Sequence, residues 1–278
     1  MILFPNAKIN LGLYITGRRP DGYHDLLTAF YPVNWHDILE IVPARGEDTT
    51  LTVTGRGVDC PPEKNLVMRA YRALAEVAPL SSVDIYLHKV IPDGAGLGGG
   101  SADAAFTILG LNNLFSLGLA ADEMARVAAR IGADCPFFIY DRPMLATGIG
   151  DVFSPCEVSL AGVPVLIVKP DVHVSTREAY VGVTPRDPDV DLAGLLAGPV
   201  ASWQGRLVNQ FEQSVFQAHP EIAGLKSAIL GMGAAYASMS GSGSAVFGIF
   251  PGADSDKLSR EASIRFAGME FFVSTNRM

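Results

Sequence analysis

A glycine-rich segment in the middle of the chain is the clearest candidate for chemistry. It places five glycines in the seven residues from Gly94 to Gly100. Glycine tolerates positive φ, so successive backbone N–H groups can face one concavity, an arrangement that binds anions. We predict a helix from about Ser101, whose unpaired N–H groups and dipole favour an anion at the same place. The segment therefore predicts a phosphate site, although a tightly packed turn is the alternative. Its candidate residues are Pro92, Gly94, Ala95, Gly96, Leu97, Gly98, Gly99, Gly100, Ser101 and Ala102.

Two familiar phosphate-binding motifs fit this segment only in part. Gly94 to Gly99 spells G-x-G-x-x-G, but a dinucleotide-binding fold needs a second parallel strand after the helix, where we predict another helix. The P-loop pattern G-x-x-x-x-G-K-[ST] fails because Gly100 stands where the lysine belongs. We therefore expect a third kind of phosphate cradle, with its cation supplied from elsewhere in the chain.

Lys8, Asn10 and Asp134 are polar residues in otherwise apolar surroundings. Residues 7 to 15 alternate apolar and polar, which predicts a half-buried strand with Lys8 and Asn10 on one face. An ordinary solvent-facing lysine and asparagine is the simpler interpretation of that pair. Asp134 lies between the end of a predicted helix and a Pro-Phe-Phe run. It can either accept backbone N–H groups in a turn or serve as a general base.

Two further segments combine polar or aromatic residues with turn chemistry. Tyr23 and His24 directly follow the turn of residues 18 to 22, where a packed aromatic ring and a surface imidazole are equally good interpretations. Ser238 to Ser244 is a second run of glycine and serine, which either binds an anion or only leads into a strand.

The elements that must position these residues follow from hydrophobic periodicity and turn residues. Predicted strands cover residues 7–15, 37–42, 50–53, 83–90, 163–168 and 245–250. Predicted helices cover residues 65–77, about 101–115, 122–131, 209–216 and 220–230. Residues 187–199 are expected to form a surface loop or a poorly ordered helix. Strands followed by helix pairs in each half predict a two-domain α+β architecture that divides near residues 150 to 160.

The composition excludes several classes of protein. The 278 residues are 49% hydrophobic and 18% charged, with a net charge of −8, which argues against non-specific nucleic-acid binding. The three cysteines and five histidines are scattered and predict neither a disulfide framework nor a zinc site. The chain has no signal-peptide pattern and no apolar run of membrane-spanning length. We therefore expect a cytoplasmic protein that binds neither membrane nor nucleic acid.

The segment from Pro92 to Ala105 resembles the central motif of the galactokinase, homoserine kinase, mevalonate kinase and phosphomevalonate kinase (GHMP) superfamily. The likeness is greatest to the branch that phosphorylates 4-diphosphocytidyl-2-C-methyl-D-erythritol. Residues 5–11, 17–24 and 131–138 resemble the opening and catalytic segments of the same branch.

The resemblance implies a two-domain GHMP-kinase-like fold of the α+β class. Residues 1–153 would form an ATP-binding and catalytic domain like domain 2 of ribosomal protein S5. Residues 154–278 would form a substrate-binding domain, a ferredoxin-like α/β sandwich. The implied cofactors are ATP and Mg²⁺, the implied substrate is a cytidine diphosphate-linked methylerythritol, and the implied reaction phosphorylates its 2-hydroxyl. We expect a monomer or a weak homodimer.

The same resemblance assigns roles in phosphoryl transfer. Asp134 would be the base and Lys8 the cation beside it, while Asn10 would position the substrate. Asn65 would border the adenine pocket. The metal ligands stay unassigned.

On the substrate side, the resemblance implies that His24 hydrogen-bonds to the cytosine base and Tyr23 stacks on it. Thr176 and Tyr180 fall where a threonine and an aromatic residue, commonly Phe, meet the cytosine, so the tyrosine hydroxyl is a departure from the family pattern. In the second glycine motif, Gly241 and Ser242 would cap either the transferred phosphate or the phosphates of the substrate.

Three alternatives stay open at this point. A sister kinase that acts on mevalonate or homoserine shares the glycine segment but not the Pro-Asp-Gly-Tyr-His sequence. An NAD-dependent oxidoreductase would use the G-x-G-x-x-G run. A catalytically silent nucleotide-binding protein is the third alternative, and the presence of both Lys8 and Asp134 disfavours it.

Overall fold

A computed structural model describes residues 1–57 and 60–275. The last three residues of the predicted second domain lie outside this range. The described chain forms two compact units, and each is built from separate stretches of sequence. The first unit comprises residues 1–7, 35–93 and 98–142; the second comprises residues 8–34, 94–97 and the chain from Pro143 onward. A domain boundary between residues 153 and 154 stays a prediction.

The described chain contains both helices and sheets, in agreement with the predicted α+β class. The strands are β1 (Ile2–Leu3), β2 (Asn6–Arg18), β3 (His24–His36), β4 (Ile38–Pro43), β5 (Thr50–Gly55), β6 (Val83–Lys89), β7 (Met144–Thr147), β8 (Val152–Pro155), β9 (Pro164–Lys169), β10 (Tyr236–Met239), β11 (Val246–Ile249) and β12 (Glu270–Thr275). The α-helices are α1 (Leu66–Ala75), α2 (Gly99–Leu114), α3 (Ala121–Ala129), α4 (Cys135–Tyr140), α5 (Thr176–Val181), α6 (Leu192–Leu196), α7 (Phe211–Ala218), α8 (Pro220–Gly231) and α9 (Ser255–Arg265). Short 3₁₀ helices cover Pro62–Lys64 and Val200–Ser202.

The first unit contains a four-stranded sheet with the order β1-β4-β6-β5. Its strand pairs are antiparallel except for the parallel pair of β5 and β6. Helix α2 packs against β4, α1 and α4. Gly110 permits this approach, because a Cβ at that position would lie 2.6 Å from Leu3 Cδ1 and 2.9 Å from Ile41 Cδ1. The sheet therefore fixes the direction of the helix that begins in the glycine-rich segment.

The second unit contains two four-stranded sheets, ordered β2-β3-β7-β8 and β10-β11-β9-β12. Helix α8 packs against β10 and β11, and α9 packs against β9 and β12. One apolar core joins β2 to the helices and the second sheet. Its large members include Leu13, Ile15, Leu166, Val168, Phe211, Val215, Ile222, Leu225, Ile229, Met239, Val246 and Phe250.

Three features differ from the sequence-based expectations. Strand β2 is buried on both faces, so the expectation of a half-buried strand is wrong; the polar side chains of Lys8 and Asn10 find partners inside the protein. The 13-residue strand β3 was not predicted; it contains Pro32, which cannot donate a backbone hydrogen bond to a strand ladder. Residues 192–196, within the segment expected to form a surface loop or a poorly ordered helix, form a short helix whose leucines are buried.

Candidate functional site

The glycine-rich segment adopts the backbone conformation that its composition predicts. Gly94, Gly96 and Gly98 have φ values of +60°, +76° and +74°. Gly98 is the N-cap of α2, which begins at Gly99, two residues before the predicted start. The first N–H groups of a helix lack intrahelical partners, so α2 offers an anion site at its N-terminus. The positive φ values and the helix start predicted for the segment are therefore present, and phosphate binding there stays a prediction.

In the second unit, the segment of residues 94–97 packs closely against the second glycine motif. Ser240 Oγ donates a 2.8 Å hydrogen bond to the carbonyl oxygen of Gly96, and Ala245 N donates one of 3.2 Å to that of Ala95. A Cβ added to Gly96 would overlap the Ser240 carbonyl oxygen and lie 2.9 Å from its carbon. Gly96 is therefore required for close backbone approach as well as for its positive φ.

Asn209 holds the second glycine motif in place. Its Nδ2 donates hydrogen bonds of 2.8 Å to the carbonyl oxygens of both Met239 and Gly241. Ser242 Oγ lies 3.5 Å from Thr176 Oγ1. The structure therefore brings the predicted substrate residues Thr176, Gly241 and Ser242 into one region of the second unit.

Lys8 and Asn10 form a buried polar pair on β2, where only 3% and 2% of their surfaces are exposed. Lys8 Nζ donates a 2.6 Å hydrogen bond to Asn10 Oδ1 and lies 4.9 Å from the Phe30 ring centroid. Asn10 Nδ2 donates to Thr28 Oγ1 at 3.0 Å. These contacts exclude the solvent-facing interpretation, since a buried ammonium needs partners for its charge.

The backbone places this polar pair beside both glycine segments. Lys8 N donates a 2.9 Å hydrogen bond to the Leu97 carbonyl oxygen. A Cβ on Gly241 would lie 3.3 Å from Asn10 Oδ1. The strand that carries Lys8 is therefore hydrogen-bonded to residues 94–97 of the glycine-rich segment, and the role of Lys8 as the phosphate-binding cation stays a prediction.

Two of the residues predicted to contact cytosine stack on each other. The His24 and Tyr180 rings have centroids 4.7 Å apart and planes 22° apart. The Phe211 ring meets Tyr180 edge-on, with centroids 4.8 Å apart. Tyr23 is 62% exposed. Helix α5 positions Thr176 and Tyr180, and its N-cap Ser175 accepts a hydrogen bond from the backbone N–H of Glu178.

Asp134 lies in the first unit, as the N-cap residue of α4. It is half-buried and makes no capping hydrogen bond to that helix. Burial raises the pKa of the neighbouring Cys135 thiol to about 11, so this thiol is a poor nucleophile. Lys8 and Asp134 belong to different units, and their joint action stays a prediction.

The first unit also contains a cavity of about 260 Å³ beside the start of α2. Two predicted residues, Asn65 and Gly100, line it. Asn65 Oδ1 accepts a 2.9 Å hydrogen bond from Val67 N and so caps α1, which fixes the side chain at the cavity wall. The other lining residues are Cys60, Lys64, Leu66, Leu87, Lys89, Asp93 and Asp103.

Sequence reasoning missed a buried charged cluster in this cavity wall. Lys89 Nζ donates hydrogen bonds to Asp37 Oδ2 and, at 2.7 Å, to Asp103 Oδ2. Burial raises the pKa of the Asp103 carboxyl to about 8. Burial works against the ammonium of Lys89, but the charges of both carboxylates outweigh it and raise the pKa of that lysine. One signal was available: Lys89 continues the inward-facing series of Val83, Ile85 and Leu87 on β6.

Across residues 1–57 and 60–275, no helix has both the length and the apolar character that a membrane crossing requires. The same residues contain no group of three or more His, Cys, Asp or Glu side chains arranged to hold a metal ion.

Family models and relatives agree on the class of protein. The model of the GHMP kinases N terminal domain matches residues 65–142, and the model of the GHMP kinases C terminal region matches residues 194–268. A 4-diphosphocytidyl-2-C-methyl-D-erythritol kinase of Parabacteroides distasonis is 51% identical over 250 residues, which are 90% of this chain and 92% of the relative. A kinase of the same name from Bacteroides fragilis is 49% identical over 96% of this chain and 98% of its own.

A solved structure supports the same assignment. The crystal structure of a 4-(cytidine 5'-diphospho)-2C-methyl-D-erythritol kinase superposes with a TM-score of 0.83 and 33% sequence identity. The match covers 99% of this chain and 98% of the other. The likeness therefore includes both GHMP segments and the chain around them.

Proposed function

The chain belongs to the 4-diphosphocytidyl-2-C-methyl-D-erythritol kinase family of the GHMP kinases, and from that premise we propose that it transfers the γ-phosphate of ATP to the 2-hydroxyl of 4-diphosphocytidyl-2-C-methyl-D-erythritol. The reaction is a step in the non-mevalonate route to isoprenoid precursors. The observation that carries the proposal is about 50% identity to kinases of that name over 90% or more of both chains. We further propose that the enzyme is cytoplasmic and works as a monomer or weak homodimer.

ATP is proposed to bind through the glycine-rich segment and the cavity beside it. The triphosphate would meet the backbone N–H groups from Gly94 to Ala102 and the positive end of the α2 dipole. The adenosine part would enter the cavity that Asn65 lines. Asn65 Oδ1 accepts a hydrogen bond from Val67 N, so we propose that its Nδ2 donates a hydrogen bond to the base.

Mg²⁺ would accompany the nucleotide and neutralise charge that develops on the β- and γ-phosphates. The described residues contain no group of three or more His, Cys, Asp or Glu side chains that could hold a metal ion, so we assign the ion no protein ligand. The protein's own contribution is positioning and electrostatic stabilisation.

Asp134 is proposed as the general base that accepts the proton of the substrate hydroxyl while the oxygen attacks the γ-phosphorus. Its support is local: the carboxylate is half-buried and is not used as a helix cap. Lys8 would stabilise the phosphoryl group in transfer. Its ammonium is held in one orientation by Asn10, and pre-organised charge of this kind stabilises a transition state without reorganisation.

The cytidine is proposed to bind against the aromatic pair of His24 and Tyr180, with Tyr23 closing on the base from its exposed position. Flat rings suit a flat base, and each stack contributes roughly 1–3 kcal/mol. Thr176, together with Gly241 and Ser242 of the second glycine motif, would hold the polar part of the substrate.

The proposal is tested by measuring ADP release with a panel of alcohols. Turnover with the cytidine-bearing erythritol, and ³¹P NMR of a product phosphorylated at the 2-hydroxyl, is the expected result. Turnover with mevalonate or homoserine, and none with the cytidine-bearing alcohol, would overturn the substrate assignment while retaining the kinase family. Light scattering of the same preparation measures the oligomeric state.

A further inference from the structure

Asn209, just before helix α7, and Glu212, in its first turn, hold the first residues of the second glycine motif. Glu212 Oε1 accepts hydrogen bonds from Met239 N at 2.8 Å and from Ser238 Oγ at 2.9 Å. Asn209 Nδ2 donates to the Met239 carbonyl oxygen, so one short stretch of chain binds both backbone groups of Met239. Asn209 and Glu212 are both buried. The chain two residues before Gly241 is therefore fixed from inside the protein.

Lys226 on helix α8 orients the Glu212 carboxylate. Its Nζ donates a 2.6 Å hydrogen bond to Glu212 Oε2 and lies 5.8 Å from the Phe216 ring centroid. A buried carboxylate is costly unless its charge is paired and its oxygens are hydrogen-bonded. Both conditions are met here, because one oxygen of Glu212 faces Lys226 and the other faces the second glycine motif.

Helix α7 also supports helix α5. Ser214 Oγ donates a 3.2 Å hydrogen bond to the Ala179 carbonyl oxygen. Gly182, the C-cap of α5, packs directly on Ser214, because an added Cβ would overlap that side chain. The Phe211 ring meets Tyr180 edge-on. The two groups of candidate substrate residues, those of α5 and those of the second glycine motif, are therefore both attached to α7.

We propose that Glu212, oriented by Lys226, is a positioning residue for the substrate site. By fixing the second glycine motif on α7, it sets the distance between that motif, which is proposed to bind phosphate, and α5, which is proposed to bind cytidine. A substrate that must meet both surfaces at once is sensitive to this distance. The inference rests on the proposed function and adds to it a residue that contacts neither reacting group.

The experiment compares two conservative substitutions of Glu212 that separate its position from its charge. Glu212→Asp keeps the charge but shortens the side chain by a methylene group, so its carboxylate cannot reach both Lys226 and Met239 N without a shift of the motif. Glu212→Gln keeps the length and an oxygen acceptor for Met239 N but removes the charge.

We expect kcat/KM for the alcohol to fall at least about tenfold in Glu212→Asp and to stay within about threefold of wild type in Glu212→Gln. The reason is that a misplacement of about 1 Å can reduce a rate by about 10²-fold. A role of the charge itself predicts the opposite order of the two variants. Steady-state ADP release with the alcohol varied at saturating ATP measures kcat/KM.

ATP binding provides a second readout that a general loss of stability would not leave untouched. The ATP dissociation constant, measured by calorimetry without the alcohol, should change less than about twofold in both variants, since α2 and the cavity at Asn65 belong to the first unit. Glu261→Gln is the matched control, because it removes a carboxylate 3.9 Å from Lys257 on α9 of the second unit. It should leave all of these constants unchanged.

Thermal unfolding establishes that each variant is folded. If Glu212→Asp does not fold, Lys226→Met takes its place: it leaves Glu212 Oε2 without its ammonium and should lower kcat/KM at least about tenfold. Adding Glu212→Gln to Lys226→Met should then restore kcat/KM, because an amide needs no charged partner.

The proposal is overturned if folded Glu212→Asp keeps the wild-type kcat/KM, if Glu212→Gln loses as much as Glu212→Asp, or if ATP affinity falls as much as kcat/KM for the alcohol. In the replacement pair, a normal kcat/KM in Lys226→Met, or no restoration by Glu212→Gln, overturns it as well. The alcohol used is the one that the wild type phosphorylates in the panel above, so a wrong substrate assignment changes only the probe. A wild type that phosphorylates no alcohol would overturn the proposed function and this inference with it.

Discussion

The imidazole of His24 stacks on the phenol ring of Tyr180, with 4.7 Å between their centroids and 22° between their planes. His24 begins β3 and Tyr180 belongs to α5, so two distant parts of the sequence supply one aromatic surface in the second unit. If this surface binds the cytidine, removing either ring must raise KM for the cytidine-bearing alcohol and leave KM for ATP nearly unchanged.

Replacing His24 by Ala is therefore expected to raise KM for the cytidine-bearing alcohol about tenfold or more. This is the change expected from losing the binding free energy of one aromatic stack or one hydrogen bond. KM for ATP should change less than about twofold. Tyr180→Ala should behave like His24→Ala, whereas Tyr180→Phe keeps the ring and should leave both constants near wild type. Steady-state kinetics with each substrate varied in turn measures the split. An equal rise in both KM values would remove these rings from cytidine binding.

Asp134→Asn is expected to abolish turnover while ATP binding is retained, because the amide cannot accept the hydroxyl proton. Loss of a general base typically costs about 10²–10⁴-fold in kcat. ATP affinity is measured by calorimetry and kcat by ADP release. Asp122→Asn, which removes a carboxylate at the start of the neighbouring helix α3, is the control and should keep kcat. Full kcat in Asp134→Asn would exclude Asp134 as the base.

Lys8→Met removes the buried ammonium but keeps most of the aliphatic stem. We expect kcat to fall by about 10²-fold or more, since a pre-organised charge near the transferred group is lost. Asn10 then keeps its hydrogen bond to Thr28 but loses the one from Lys8. Thermal unfolding controls for a general structural effect. A normal kcat with a raised KM for ATP would show that Lys8 only binds the nucleotide.

Gly96→Ala is expected to destabilise the fold by several kcal/mol, because the added methyl group would overlap the Ser240 carbonyl. Gly162→Ala is the matched control: Gly162 has a similar φ of +70° but nothing within 4 Å of an added Cβ. It should cost only the left-handed penalty of about 1–2 kcal/mol. Urea unfolding measures the loss of unfolding free energy in both variants. Equal losses would contradict the close approach of the Gly96 and Ser240 backbones.

The buried carboxyl of Asp103 also predicts a pH dependence of stability. Between about pH 4 and 8 the folded state retains a proton that the unfolded state has released, so stability declines as pH rises through this range. Asp103→Asn lacks this effect. The melting temperature of the wild type minus that of the variant should fall from pH 5 to 8 and then level off. A difference that stays constant with pH would mean that Asp103 does not titrate there.

Local rules predicted the elements that carry most of the candidate residues. Alternation placed Lys8 and Asn10 on one strand, and the glycine-rich segment was assigned positive φ and a following helix, all of which the structure contains. Backbone preferences and side-chain periodicity act over a few residues, so they can be inferred from a sequence alone.

Alternation on β6 indicates that Lys89 faces inward, but its buried partners Asp37 and Asp103 could not be predicted in this way. These partners are separated from Lys89 by 52 and 14 positions, and each contact depends on how β6 meets α2 and the β3–β4 junction. Burial of β2 on both faces has the same origin, because tertiary packing around Lys8 overrides the usual preference of a lysine for water. The His24–Tyr180 stack likewise joins elements whose contact no local pattern specifies.

The arrangement of β2 in the second unit has a consequence for synthesis of the protein. Lys8 is translated well before the groups that enclose its strand: Leu13 bridges Asn209, and Ser240 Oγ donates a hydrogen bond to the Gly96 carbonyl oxygen. Contacts of such sequence separation form slowly and only when both partners have been translated. A nascent chain therefore cannot complete the surroundings of Lys8 until the second glycine motif has been translated.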